Sequence, residues 1–341
     1  MILKSISKLG RVQEWWEHKL PAVLTIGYAT SLSSNTPLIE LAPWLAFVLT
    51  SIIVGAIYVS TINDITDIDE DLASSKNNRM SIIPKQYRWF IPCCCIAIGM
   101  LFFYSFLPDK VSAYIYILPW ISFSLYSFKP FRLKHRGIWG LFADASGAHL
   151  FIGLLMVSSV SYASHQSVDA VWFALVGIWS LCFGLRGILW HQYYDRHNDL
   201  KVLATTFATE VHPDKFKTYE KGLIAIELLA FGGMVLKISL VILLIFLILY
   251  VILVILRYRV MGHKPVIVIN PPNLLLQILM LDFYQVFFPL GVLLFIAFNQ
   301  QHGWILLVIH IILFPRMLIN ILKDSIIITK SFRRPFQTSN F

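Results

Sequence analysis

Charge is scarce in this chain. Only 14% of its 341 residues are Asp, Glu, Lys or Arg, and only 19 are acidic. A soluble domain carries about 25% charged residues, so the composition excludes one. Cysteine is scarcer still, with Cys93, Cys94, Cys95 and Cys182 the four present. Three adjacent cysteines inside an apolar run lack metal-ligand spacing, and all four read as buried packing residues. No cleavable signal-peptide pattern is visible, and no low-complexity tract or linker divides the chain.

Long apolar runs are abundant instead. The chain is 57% hydrophobic, with a mean hydropathy of +0.70, and many runs reach the roughly 20 residues that cross a bilayer as a helix. The expectation is an all-α, polytopic membrane helical bundle. Spans are expected near 20–38, 41–62, 89–107, 111–128, 138–160 and 169–192, then over 220–257, 279–299 and 303–322. The run 220–257 is too long for one ordinary span, and a turn near Lys237 would split it, giving ten spans in place of nine. Residues 1–19 set Lys4, Lys8, Arg11 and Lys19 among Ile2, Leu3, Ile6, Leu9, Trp15 and Trp16, the pattern of an amphipathic helix on the membrane surface. The organisation expected is this surface helix at 1–19, one transmembrane domain at 20–323, and a basic tail at 324–341.

Net charge is +9, but the basic residues sit in short loops between spans. That distribution argues against nucleic acid and places the loops after spans two, four and six in the cytoplasm.

The few acids are concentrated. Residues 63–71 read NDITDIDED at the end of span two. Successive helical residues are about 100° apart, so Asp64, Asp67 and Asp71 would fall on one face with Asn63 on its flank. Three acids on one stripe repel, which calls for a cation, and a hard divalent ion with oxygen ligands fits. Asp195 and Asp199 form a second pair, at i and i+4, following span six as the first group follows span two. Mg2+ prefers one or two carboxylates plus phosphate oxygens, so two such clusters on one face suit a diphosphate held through metal as a leaving group. Lys76, Arg79, Arg132, Lys134, Arg136 and Lys201 could add charge-assisted hydrogen bonds. An apolar bundle beneath would lodge a hydrocarbon tail. Together these point to an allylic prenyl diphosphate as substrate, with membrane lipids around the protein.

These residues carry a resemblance. The chain resembles the UbiA superfamily of intramembrane prenyltransferases, whose first motif NDxxDxxxD is matched by Asn63, Asp64, Asp67 and Asp71 and whose second, DxxxD, by Asp195 and Asp199 with Tyr194 just before. The order of motifs and spans agrees from about residue 15 to 235. After the first motif the family often has Arg-Thr and Arg-Pro, where this chain has Lys76-Asn77 and Arg79-Met80. The resemblance implies a ring of about nine to ten transmembrane helices around a central cavity, with the motifs in cytosolic cap loops and their carboxylates binding Mg2+–diphosphate. It implies a Mg2+-dependent prenyl transfer to an acceptor, an aromatic ring or a hydroxyl, that the sequence leaves unidentified.

Asn63 is expected to join the metal shell or orient its ligands. Asp144, early in span five, is an acid at membrane depth and should face a polar cavity, contacting the acceptor or a lysine. Tyr126, Tyr193 and Tyr194 could stabilise a cation through their rings or serve as interface aromatics. Glu227 and Asp282 read as helix-to-helix contacts. The alternative is a non-catalytic or transport membrane protein that binds metal or prenyl lipid through the same acids.

Overall fold

Apolar segments in lipid can leave no backbone N–H or C=O unpaired, so they close their hydrogen bonds internally as helices. The computed structural model, which describes residues 10–73, 77–201, 204–270 and 274–333, is built almost wholly of them. In chain order they are α1 (Val12–Ser33), α2 (Leu38–Thr66), α3 (Ile68–Ala73), α4 (Phe90–Phe106), α5 (Lys110–Ser127), α6 (Ile138–Ala145), α7 (Phe151–Ala163) and α8 (Ala170–Lys201). There follow α9 (Phe207–Glu210), α10 (Pro213–Ile238), α11 (Val241–Leu256), α12 (Phe288–Asn299), α13 (Gly303–Leu313) and α14 (Pro315–Arg333). A π-helical turn, Ser146–Leu150, joins α6 to α7, and another, Phe283–Phe287, leads into α12. Among the described residues, five helical stretches are long and apolar enough to cross a membrane, six if α13 and α14 count as one bent span.

The long helices form a ring. α1 packs against α2, α7 and α12, α2 against α4 and α5, α7 against α8, and α8 against α10. Lipid tails are as apolar as leucine, so close packing and interhelical hydrogen bonds must hold such a ring. Gly27 lets α1 approach so closely that an added Cβ would stand 2.8 Å from Leu45 and 2.9 Å from Met156. Trp172 Nε1 donates to Thr30 Oγ1 at 2.9 Å, Trp44 Nε1 to the Ser159 carbonyl at 2.9 Å, and Trp16 Nε1 to the Leu313 carbonyl at 2.8 Å.

The ring has two distinct ends. At one, Gln300 Oε1 accepts from the Leu38 amide, Lys237 pairs with Asp169 at 2.7 Å, and Ser158 donates to Asp109. The other, called the cap here, gathers the segments after α2, α5, α8 and α11. Arg132 and Lys134 reach Asp67 and Glu70, Gly137 bridges to Thr206, and Glu220 Oε2 accepts from the Val268 and Ile269 amides at 3.0 and 2.9 Å. Within the cap, β1 (Lys264–Val266) and β2 (Leu276–Ile278) pair in parallel.

The run 220–257 splits as expected: Ser239, with φ of 51°, caps α10 in the left-handed conformation that ends helices. The final span does not continue through 303–322. It breaks between α13 and α14 with an 81° bend, because Pro315 has no N–H to donate and disfavours helical geometry in Phe314 before it. Neither expected domain boundary falls at a backbone break: α1 runs unbroken through Lys19 and Leu20, and α14 through residues 323 and 324. Residues 1–9 and 334–341 lie outside the described residues. The cysteines divide. Cys95 and Cys182 are buried, whereas Cys93 and Cys94 are exposed, because α4 lies at the rim of the ring and buries few of its residues.

Candidate active site at the mouth of a central cavity

Helix α2 ends inside the first motif. Asp64 lies in its last turn, Asp67 caps it, and Asp71 belongs to α3. The three carboxylates consequently go to different partners, in place of the single ion expected on one stripe. Asp64 is 0% exposed and is met by the Arg11 guanidinium. Asp67 is met by Lys134, with Arg132 at 3.5 Å. Asp71 accepts from Asn78 Nδ2 at 2.8 Å, and the same amide bonds the Asp64 carbonyl at 2.7 Å. Neighbouring Glu70 pairs with Arg132 at 2.8 Å and Lys134 at 3.4 Å. Asn63 Oδ1 accepts from the Ser127 hydroxyl.

Burial works against charge on Arg11, yet Asp64, Glu14 and Asp71 together hold its pKa above the ordinary value. His135, beside Glu70, moves the other way, lowered first by burial and then by Lys134.

The second motif sits at the end of α8, with Asp195 and Asp199 both half-buried. Thr206 Oγ1 donates to Asp199 Oδ2 at 3.3 Å, and the Ala204 amide bonds the Asp199 carbonyl at 2.9 Å. One loop, residues 128–137, joins the two motifs. It grips the first through Arg132 and Lys134, and the Gly137 amide lies 3.5 Å from the Thr205 carbonyl. Gly137 adopts φ of 50°, and an added Cβ would stand 2.4 Å from Glu210 Oε2; only glycine fits there. Tyr126, just before the loop, is within electrostatic reach of Asp67, Asp144 and Asp199 together.

Beneath the cap lies a cavity of about 870 Å³. Arg11, Glu14 and Asn63 line it, as do Trp120, Phe123 and Phe183. Asp144 faces this cavity, as expected, with Lys19, His149 and His191. Deeper, Arg186 forms a two-pronged ion pair with Glu227 at 2.6 and 2.7 Å, and its Nη1 donates to the Ile267 and Leu279 carbonyls at 3.4 and 3.0 Å. Glu227 is thus the expected helix-to-helix contact, as is Asp282, which pairs with Arg257.

The remaining sequence-based candidates scatter. Arg79 pairs with Glu14 at 2.9 Å. Arg136 turns back on its own loop to the Pro130 carbonyl at 2.9 Å. Tyr194 is 68% exposed and stacks on Trp190. Lys201 is exposed at the end of α8, and Lys76 lies outside the described residues. Sequence reasoning passed over Arg11, Glu14, Asn78 and Ser127, which are ordinary polar residues until the fold brings them to the motif. It also passed over Arg186, although a charge inside an apolar span is a readable signal.

Among the described residues, no three His, Cys, Asp or Glu side chains gather closely enough to hold a metal by themselves. The donor set still suits a hard cation: Asp64 Oδ2 is buried without a hydrogen-bond partner, and carboxylate and amide oxygens are what Mg2+ takes.

No known family profile and no curated protein sequence matches the chain. Solved structures of a UbiA homolog from Archaeoglobus fulgidus do. The one bound to GPP and Mg2+ gives a TM-score of 0.59 at 15% identity, covering 88% of this chain and 98% of that one. The one bound to Cd2+ gives 0.55 at 15% identity over 86% and 98%, and the one bound to DMAPP and Mg2+ gives 0.51 at 12% identity over 95% and 99%. The helical architecture of this chain is therefore that of the UbiA-type membrane fold.

Proposed function

We propose that this protein transfers a prenyl group from an allylic prenyl diphosphate to an acceptor within the membrane, releasing diphosphate. The observation that carries the reading is the joining of two acidic helix ends by one basic loop, on the cap above a large cavity lined by both polar side chains and aromatic rings. The UbiA homolog structures with GPP or DMAPP and Mg2+ support it by likeness of fold.

Asn63, Asp64, Asp67 and Asp71 from one side and Asp195 and Asp199 from the other would hold Mg2+, which when bound supplies positive charge to the departing diphosphate. Arg79, Arg132 and Lys134 would add charge-assisted hydrogen bonds to its oxygens. Loss of diphosphate leaves an allylic cation, and Trp120, Phe123 and Phe183 wall the cavity against water that would quench it and offer ring faces to the charge. Asp144 and His191, which also line the cavity, would take the proton the acceptor gives up.

The test is a purified preparation in lipid nanodiscs given labelled geranyl diphosphate, Mg2+ and a lipid extract, with products read by mass spectrometry. Asp64→Asn and Asp195→Asn should each lower Mg2+-dependent prenyl transfer about 100-fold or more at an unchanged thermal midpoint. Undiminished turnover in both variants would remove the carboxylates from the mechanism.

A further inference from the structure

The N-terminal turn of α1, from its cap Arg11 to Glu14, brings one charge of each sign to the site. Arg11 and Glu14 both line the cavity. The Arg11 guanidinium meets Asp64, whose other oxygen lies buried without a partner. Glu14 Oε1 accepts from Arg79 Nη2 at 2.9 Å, while its Oε2 stands 3.4 Å from Arg11 Nη1. Arg11 itself has a left-handed backbone, φ of 50°, a strained conformation that persists in a non-glycine residue only where its surroundings enforce it.

A buried carboxylate needs a counter-charge, and an arginine supplies one that no ordinary pH removes. Resting on the reading of Asp64 as a metal ligand and Arg79 as a diphosphate ligand, we propose that the Arg11–Glu14 turn is a charge-matched plug. Arg11 stands where a divalent cation would bind, and Glu14 where a phosphoryl group would bind. Loading the site is then an exchange: the turn withdraws as cation and diphosphate enter. Intrinsic affinity is reduced by the fraction of molecules with the turn withdrawn, and removing either charge raises that fraction.

The experiment uses the full chain in detergent, with Mn2+ as the cation, followed by electron paramagnetic resonance of the free ion. Inorganic pyrophosphate with Mg2+ serves as the anion, followed by titration calorimetry. Arg11→Gln should tighten Mn2+ binding about tenfold, with Arg11→Lys between it and the wild type. Glu14→Gln should tighten pyrophosphate binding by a similar factor. A turn that only anchors α1 would leave both affinities unchanged or weakened, and that result overturns the plug. If neither the wild type nor the two variants bind either probe, the plug and the functional reading beneath it fail together. If the wild type binds both and the variants match it, the plug alone fails.

Discussion

Glu227 is 0% exposed and its partner Arg186 is 2% exposed, so neither charge is hydrated. Breaking such a pair strands the survivor, at a cost of about 3–5 kcal/mol, whereas replacing both by apolar groups of similar size is often neutral. Glu227→Ala should therefore lower the thermal midpoint in detergent markedly. The double variant Arg186→Met with Glu227→Leu should recover part of the loss, falling short because the Ile267 and Leu279 carbonyls also lose their donor. A double variant no more stable than Glu227→Ala would show that a stranded Arg186 charge is not what the single substitution costs. At this scale the sequence was half legible. Glu227 announced itself as an acid within a span, but its partner lies 41 residues earlier, and no local pattern names it. The motif aspartates stood out in the sequence as concentrated acids, but the single stripe read from their spacing does not form, because α2 ends at Thr66. Their individual counter-ions were not legible, because Arg11 meets Asp64 across 53 residues and Lys134 meets Asp67 across 67.

Among the elements, the loop 128–137 has the greatest influence on the site, because it touches both motifs. Its C-terminal contact depends on Gly137, whose φ of 50° strains any residue with a Cβ, and that Cβ would also have to displace the Glu210 carboxylate. Gly137→Ala should detach the loop from the segment after α8, and a displacement of about 1 Å at a reacting centre can cost about 100-fold. Prenyl transfer should fall about 10- to 100-fold while the helical circular dichroism stays unchanged. Adding Glu210→Ala should restore part of the activity by removing the clash and leaving the backbone strain. Equal activity in Gly137→Ala and wild type would show that the motifs do not depend on this junction. Helix positions were readable from apolar run length alone, and the split near Lys237 from an overlong run. The break before Pro315 and the cap strand pair were not. Hydropathy averages over a proline, and three-residue strands such as Lys264–Val266 leave no period to detect.

For the molecule as a whole, the two rings of end contacts fix which loops share a side. Basic loops predict that the cap side is cytoplasmic. Single cysteines placed at Glu210 and Lys217 on a cysteine-free background should react with an impermeant maleimide only in inside-out vesicles. Cysteines at Asn35 and His165 should react only from the opposite side. Labelling of both groups from one side would contradict the ring.

One consequence follows for anyone hoping to alter what this chamber accommodates. Arg186 is at once part of the inner wall and the fastening for the stretch that roofs it, since the same guanidinium that locks onto Glu227 also holds the Ile267 and Leu279 carbonyls. Excavating that wall to house a bulkier guest would unpin the ceiling. Trp120 and Phe123 on α5 line the same cavity without holding the Ile267 or Leu279 carbonyls, so enlargement there would disturb ring packing against Gly99 and Gly147 but leave the ceiling pinned.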